Sequence, residues 1–152
     1  MKGLKSLIAK HYTKEEFAWI MQDWANSVYS LMITTAIFPL YFKTVSSNAG
    51  LSAADSTAFL GYANSIATFA VSIMAPVLGA LADYKGYRNP MFTWSTLLGV
   101  FSVIGMMFAE TDQWILLLAL YTLSAIGYSA SNIFYDSSIM DVTTYDRMDR
   151  IS

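Results

Sequence analysis

Charged residues fall in blocks along this chain, and the blocks set its architecture. Nineteen residues separate Asp23 from Lys43 without a charge, 27 separate Asp55 from Asp83, 21 separate Arg88 from Glu110, and 23 separate Asp112 from Asp136. A bilayer core of about 30 Å takes about 20 helical residues. The four windows therefore predict an all-α membrane protein with four transmembrane helices. Local signals place the ends. The first span covers about 17–42 with Pro39 in its last turn, and residues 46–54 form a roomy outer loop. Ser52 with Asp55 resembles a capping box that opens the second span, which runs to about residue 81 and holds Pro76, where a kink is expected. Asn89-Pro90 reads as an N-cap followed by proline at the first helical position of span three. Glu110-Thr111-Asp112 is a short turn into span four. Trp19, Trp24, Trp94 and Trp114 lie near span ends, where interfacial aromatics belong. The chain thus divides into a basic tail (1–16), a four-span domain (17–135) and a polar tail (136–152).

Composition agrees with the pattern. Only 13% of the residues are charged and 55% are hydrophobic, against roughly 25% charged in soluble domains. With 15% aromatic residues the chain is too apolar for disorder. It has no cysteine and a single histidine, His11. Disulfides, thiolate chemistry and histidine metal clusters drop out, and no metal or other cofactor is expected. The net charge of −2 gives no nucleic-acid footprint. No nucleophile–base pair or phosphate loop is visible, so an enzyme is not expected.

Basic residues orient the spans. With the N-terminus inside, Lys2, Lys5, Lys10, Lys14, Lys85, Arg88, Arg147 and Arg150 are cytoplasmic, and only Lys43 is outside. The positive-inside rule then places both termini in the cytoplasm.

Each span carries a polar stripe at helical spacing. Small residues dominate the second (Thr57, Gly61, Asn64, Thr68, Ser72, Ala75, Gly79) and third (Gly99, Ser102, Gly105), which read as helix-packing faces. The amide of Asn64 is expected to bond a neighbouring helix. The first stripe (Asp23, Asn26, Ser27, Ser30, Thr34, Tyr41) and the fourth (Ser124, Gly127, Tyr128, Ser131, Tyr135, with Asn132 at its edge) hold groups that need water or a partner in hydrocarbon. A solute pathway and helix packing are both open there. The residues proposed to contact solute are Asn26, Ser30, Thr34, Tyr128, Ser131, Asn132 and Tyr135. Asp23 either reaches the cytoplasmic surface, the cheaper outcome, or acts with Asp136 as a coupling carboxylate. Ala25-Asn26-Ser27 recurs as Ala63-Asn64-Ser65, which reads as chance or shared packing.

The connection after span two, GALADYKGYRNP, offers small residues at Gly79, Ala80 and Ala82, an acceptor at Asp83, a glycine at Gly86 for a positive φ at the reversal, and membrane-surface cations at Lys85 and Arg88. The pattern Gly79-x-Leu81-Ala82-Asp83-x-x-Gly86-x-Arg88 resembles the signature loop between helices two and three of the major facilitator superfamily. Four further blocks are Asp23-Trp24-Ala25-Asn26-Ser27 with Tyr29-Ser30, Gly61-Tyr62-Ala63-Asn64-Ser65-Ile66, Phe134-Tyr135-Asp136-Ser137, and Asp141-Val142-Thr143-Thr144 running into Asp146-Arg147-Met148-Asp149-Arg150. Together they resemble the vacuole effluxer-like branch of that superfamily.

The resemblance implies the first four helices of a major facilitator N-terminal half, an N-terminal fragment of a twelve-span carrier. It implies alternating access, helices one and four at a central cavity, helix two between the halves, and a conformational switch role for Gly79, Asp83, Lys85, Gly86 and Arg88. An amino-acid-like solute follows from the family alone. The partners implied are the bilayer, a small solute and the remaining helices of the carrier or another copy; a bacterial-type cell membrane is expected over a vacuolar one. The reading from another class is a non-transporting four-helix module with a structural or regulatory role. The polar tail reads as solvated, since exposed ion pairs are weak, although Asp136 and Asp141 could join Arg88 and Asp83 in a charge network. Asp146 and Arg150 form an i, i+4 pair within it.

The orientation is testable because the chain lacks cysteine. Cysteine at Asn48 should react with an impermeant maleimide from outside intact cells, and cysteine at Gly86 only after permeabilisation; the reverse pattern refutes the topology.

Overall fold

Four long helices account for nearly all of residues 12–143, the part that the computed structural model describes. They are α1 (Lys14–Asn48), α2 (Ala53–Ala82), α3 (Lys85–Met106) and α4 (Trp114–Ser137), followed by a single turn, α5 (Ile139–Val142). Among them α1, α2 and α4 are long and apolar enough to cross a membrane. With 22 residues, α3 is about 33 Å long and packs along α4. Large apolar side chains point outward around the bundle, including Leu31, Leu40, Phe69, Val77, Phe101 and Ile115. Such a surface suits hydrocarbon, where helices satisfy every backbone group internally.

Helix α1 opens three residues before the expected start. Thr13 Oγ1 accepts from the Glu16 amide at 3.1 Å, and Glu16 Oε2 accepts from the Thr13 amide at 2.9 Å. This full capping box was legible in Thr13-x-x-Glu16. Mid-helix, residues Ser30–Ile37 widen into π geometry, and Thr35 Oγ1 donates to the Ser30 carbonyl, five residues back, at 3.0 Å. The helix stops in a Schellman motif: Leu51 N–H reaches Ser46 O at 2.9 Å and Gly50 N–H reaches Ser47 O at 3.0 Å, with Gly50 at φ 85°. Ser52 then caps α2, accepting from Asp55 N–H at 3.1 Å. The expected outer loop 46–54 therefore shrinks to 49–52, because stop and start signals nearly abut.

The connection between α2 and α3 also differs from expectation. Helix α3 starts at Lys85, so Asn89-Pro90 is not its cap and Pro90 lies inside it. Gly86 is helical, and the only described residue with positive φ is Gly50. Tyr84 makes the reversal instead, its carbonyl accepting from Tyr87 and Arg88 amides. Gly79 is also less demanding than expected, since a Cβ there would meet nothing within 4 Å.

Helix α4 is the hub. Its buried Leu117 and Tyr121 join Phe38, Phe42 and Val45 of α1, Ala63 of α2 and Met106 of α3 in one apolar cluster. Nearer its end, Ala130 and Phe134 pack with Leu78 and Ala82 of α2. The α3 stripe is a packing face as expected: Gly99 and Ser102 are buried, and Gly105 sits against Leu120. The α2 stripe is not packed within the described residues. Thr57, Gly61, Thr68 and Ser72 are exposed, and α2 turns Ser56, Ala63, Ala67 and Leu78 inward. Asn64 does bond a neighbouring helix, accepting from Tyr121 Oη at 2.9 Å.

Gly127 allows the tightest approach. A Cβ there would lie 2.7 Å from the Gly99 nitrogen and 2.8 Å from the Ser95 carbonyl. Gly127→Ala should force α3 and α4 apart and cost about 1–3 kcal/mol, seen as a lower unfolding midpoint in detergent. Gly61→Ala, with nothing within 4 Å, should leave that midpoint unchanged or raise it.

Candidate functional site

Where α3 meets α4 through glycines, α1 faces α4 through long side chains. Tyr29 stacks on Tyr128 with ring centroids 4.5 Å apart and its hydroxyl lies 2.5 Å from Ser124 Oγ. Trp19 stacks on Tyr135 at 4.6 Å, and Tyr135 Oη donates to the Trp19 carbonyl at 2.9 Å. Between these stacks Asn26 Nδ2 donates to Asn132 Oδ1 at 2.6 Å. Long bridges hold the two helices apart and leave a cleft of about 450 Å³, open on one side. It is lined by Asp23, Asn26, Ser27, Ser30, Leu31 and Thr35 of α1 and by Tyr128, Asn132, Tyr135 and Asp136 of α4.

Of the residues expected to contact solute, Asn26, Ser30, Tyr128, Asn132 and Tyr135 line this cleft, and so do Asp23 and Asp136. Two do not. Ser131 is buried and its hydroxyl donates to the Tyr128 carbonyl at 2.8 Å. Thr34 does not line the cleft, and Thr35 takes its place. The cause is the π segment: an i→i+5 spacing moves the polar face by one residue relative to a 3.6-residue period. No sequence signal marked that change. Ser27 was in the stripe but not among the expected contacts, and Leu31 was in neither. The recurrence of Ala-Asn-Ser resolves as shared packing, since both Asn26 and Asn64 bond α4.

A second cluster sits at the same end of the bundle. Arg88 is buried; its Nε donates to the Ala82 carbonyl at 2.8 Å and its Nη1 pairs with Asp141 Oδ2. Glu16, also buried, accepts through Oε1 from the Thr143 hydroxyl at 2.8 Å. The start of the polar tail is therefore tied to α1 and α3, where a solvated segment was expected. Asp136 takes no part, because it faces the cleft. Asp83 is exposed, and its side chain makes no hydrogen bond or ion pair with a described residue. The side chain of Lys85, the pair Asp146–Arg150 and the basic tail 1–11 lie outside the described residues.

The family profile described as "Vacuole effluxer Atg22 like" matches residues 51–146, which takes in α2 through α5 with Arg88, Asp141 and the α4 wall of the cleft. The chain belongs to the vacuole effluxer-like family. It is also 46% identical, over 143 residues, to a Bacillus subtilis (strain 168) protein named "Uncharacterized MFS-type transporter YxiO". That match takes in 94% of this chain and 33% of the relative, so the chain spans about a third of the relative's length. A stretch of that length includes both walls of the cleft. No solved structure matches the chain.

In this vacuole effluxer-like chain the Arg88–Asp141 pair joins two elements 53 positions apart in sequence. Asp141 is 38% exposed, so solvent screening limits the pair to about 1 kcal/mol. Arg88→Ala should therefore speed amide exchange across Ile139–Val142 by about fivefold and leave α4 protected; unchanged exchange would show that α5 is held by other contacts.

Proposed function

We propose that the chain is part of a secondary carrier that moves a small polar solute across a bilayer, with the cleft between α1 and α4 as one wall of the solute path. The carrying observation is a polar cleft inside an otherwise apolar bundle, bridged by a bond that a ligand can replace. In membrane proteins such an interhelical bond contributes on average about 0.6 kcal/mol, so a solute offering its own donors and acceptors to Asn26 and Asn132 displaces it at little cost. Family membership and the relative's description as an MFS-type transporter support transport. An amino-acid-like solute fits hydrogen-bonding groups spaced along a cleft of this volume.

The rest of the path comes from a partner to the open side of the cleft, either further helices of the carrier or another copy of this chain. Rocking of that partner against α1 and α4 gives alternating access around the site. With both termini cytoplasmic, the cluster of Arg88, Asp141, Glu16 and Thr143 stands at the inner face, and the Gly79–Arg88 connection, with Asp83 and Gly86, takes part in switching and does not touch solute.

Cysteine accessibility tests the site. Ser27→Cys and Asn132→Cys in the purified chain should react with N-ethylmaleimide about tenfold faster than the buried Ser131→Cys, and a mixture of the common amino acids should slow the first two. Equal rates at all three positions, or no protection by solute, would remove the cleft as a solute path.

A further inference from the structure

We infer that the cleft between α1 and α4 selects a solute of net positive charge, one with a cationic amine beyond the zwitterionic pair of a neutral amino acid. The inference rests on the reading of the cleft as a solute path and starts from its charge. Asp23 and Asp136 face it from opposite walls, and no lysine, arginine or histidine is among the residues that line it. Neither carboxylate forms a hydrogen bond or ion pair with a described residue. Their charges act on each other across the cleft. Two carboxylates that face one cleft without a partner among the described residues repel each other. A cation held between them relieves that repulsion.

Three further features have the same sign. Arg88, the buried cation at this end of the bundle, is taken by Asp141 and the Ala82 carbonyl and borders a separate cleft. Helix α4 ends at Ser137, one residue past Asp136, and the negative end of a helix dipole favours positive charge nearby. Tyr128 and Tyr135 add aromatic rings, whose π-electrons attract cations.

The shape points to an organic cation and not a bare metal ion. The cleft holds about 450 Å³, and among the described residues no three acidic or histidine side chains converge to hold a metal. Beyond the carboxylates, Asn26, Ser27, Ser30 and Asn132 supply hydrogen-bonding groups for the uncharged remainder of the solute.

Equilibrium dialysis of the full 152-residue chain in lipid nanodiscs tests this with three radiolabelled probes of similar size, L-lysine, L-glutamine and L-glutamate. Lysine should bind at least about tenfold more tightly than glutamine, with glutamate weakest. Asp23→Asn and Asp136→Asn should each remove most of that preference while leaving the helical circular dichroism unchanged. A preference that survives both substitutions overturns the inference, because the charge selection then arises elsewhere. Equal binding of lysine and glutamine, lost in Asn132→Ala, also overturns it but keeps the cleft as the solute site. Binding of none of the three probes defeats the inference and the solute-path reading together.

Discussion

The close contact of α3 with α4 at Gly99 and Gly127 organises everything else. Hydrocarbon offers no hydrophobic drive for helices to associate, so dispersion between closely approached backbones must do it. A Cβ on Gly127 would fall inside contact distance of the α3 backbone, which means the two helices meet as nearly as backbones can. With α3 set there, α4 has its other flank for α2, against which Ala130 and Phe134 pack with Leu78 and Ala82. Toward the start of α1, what α4 still offers is an edge carrying Tyr128, Asn132, Tyr135 and Asp136.

That edge explains why a cleft exists. Small residues draw helices together, and large polar ones hold them apart. At its far end α1 is in the apolar core through Phe38, Phe42 and Val45, and there the buried hydroxyls of Ser46 and Ser56 meet at 2.6 Å. Toward its start it is linked to α4 by two aromatic stacks and one amide pair. One helix is thus anchored at one end and bridged at the other, with π geometry between the two regimes at Ser30–Ile37.

Much of this was legible in the sequence. Uncharged windows marked the four helices, and the 3.6-residue period brought Asn26, Ser30, Tyr128, Asn132 and Tyr135 to one cleft. Three kinds of detail were not legible. The π segment exchanged Thr35 for Thr34, a one-residue shift that no residue type announces. Ser131 was buried because α4 is covered on most of its circumference, a tertiary fact that a single-helix period does not contain. Gly86 looked like a reversal point, yet the helix begins at Lys85 and carries Arg88 to the Ala82 carbonyl. Local propensity yielded there to a long-range arrangement, which also holds Asp141.

The stripes misled most where they were built from hydroxyls, and the reason is chemical. A serine or threonine in a helix can bond the carbonyl a turn earlier, and many here do: Thr57 to Ala53, Ser65 to Gly61, Thr96 to Phe92, Ser102 to Leu98 and Thr122 to Leu118. Such residues satisfy themselves and can face anything, so Thr57 and Ser65 sit exposed on α2. The amides of Asn26 and Asn64 look to a neighbouring helix for a partner. Asn26 finds Asn132, and Asn64 finds Tyr121. Carboxylates have the least choice of all, since they only accept and carry a charge that hydrocarbon penalises. Glu16 and Asp141 find protein donors in Thr143 and Arg88. Asp23 and Asp136 find none among the described residues, and both border the space between α1 and α4. Ranked by how hard each group is to satisfy within its own helix, the polar positions lead from the packing faces to that cleft.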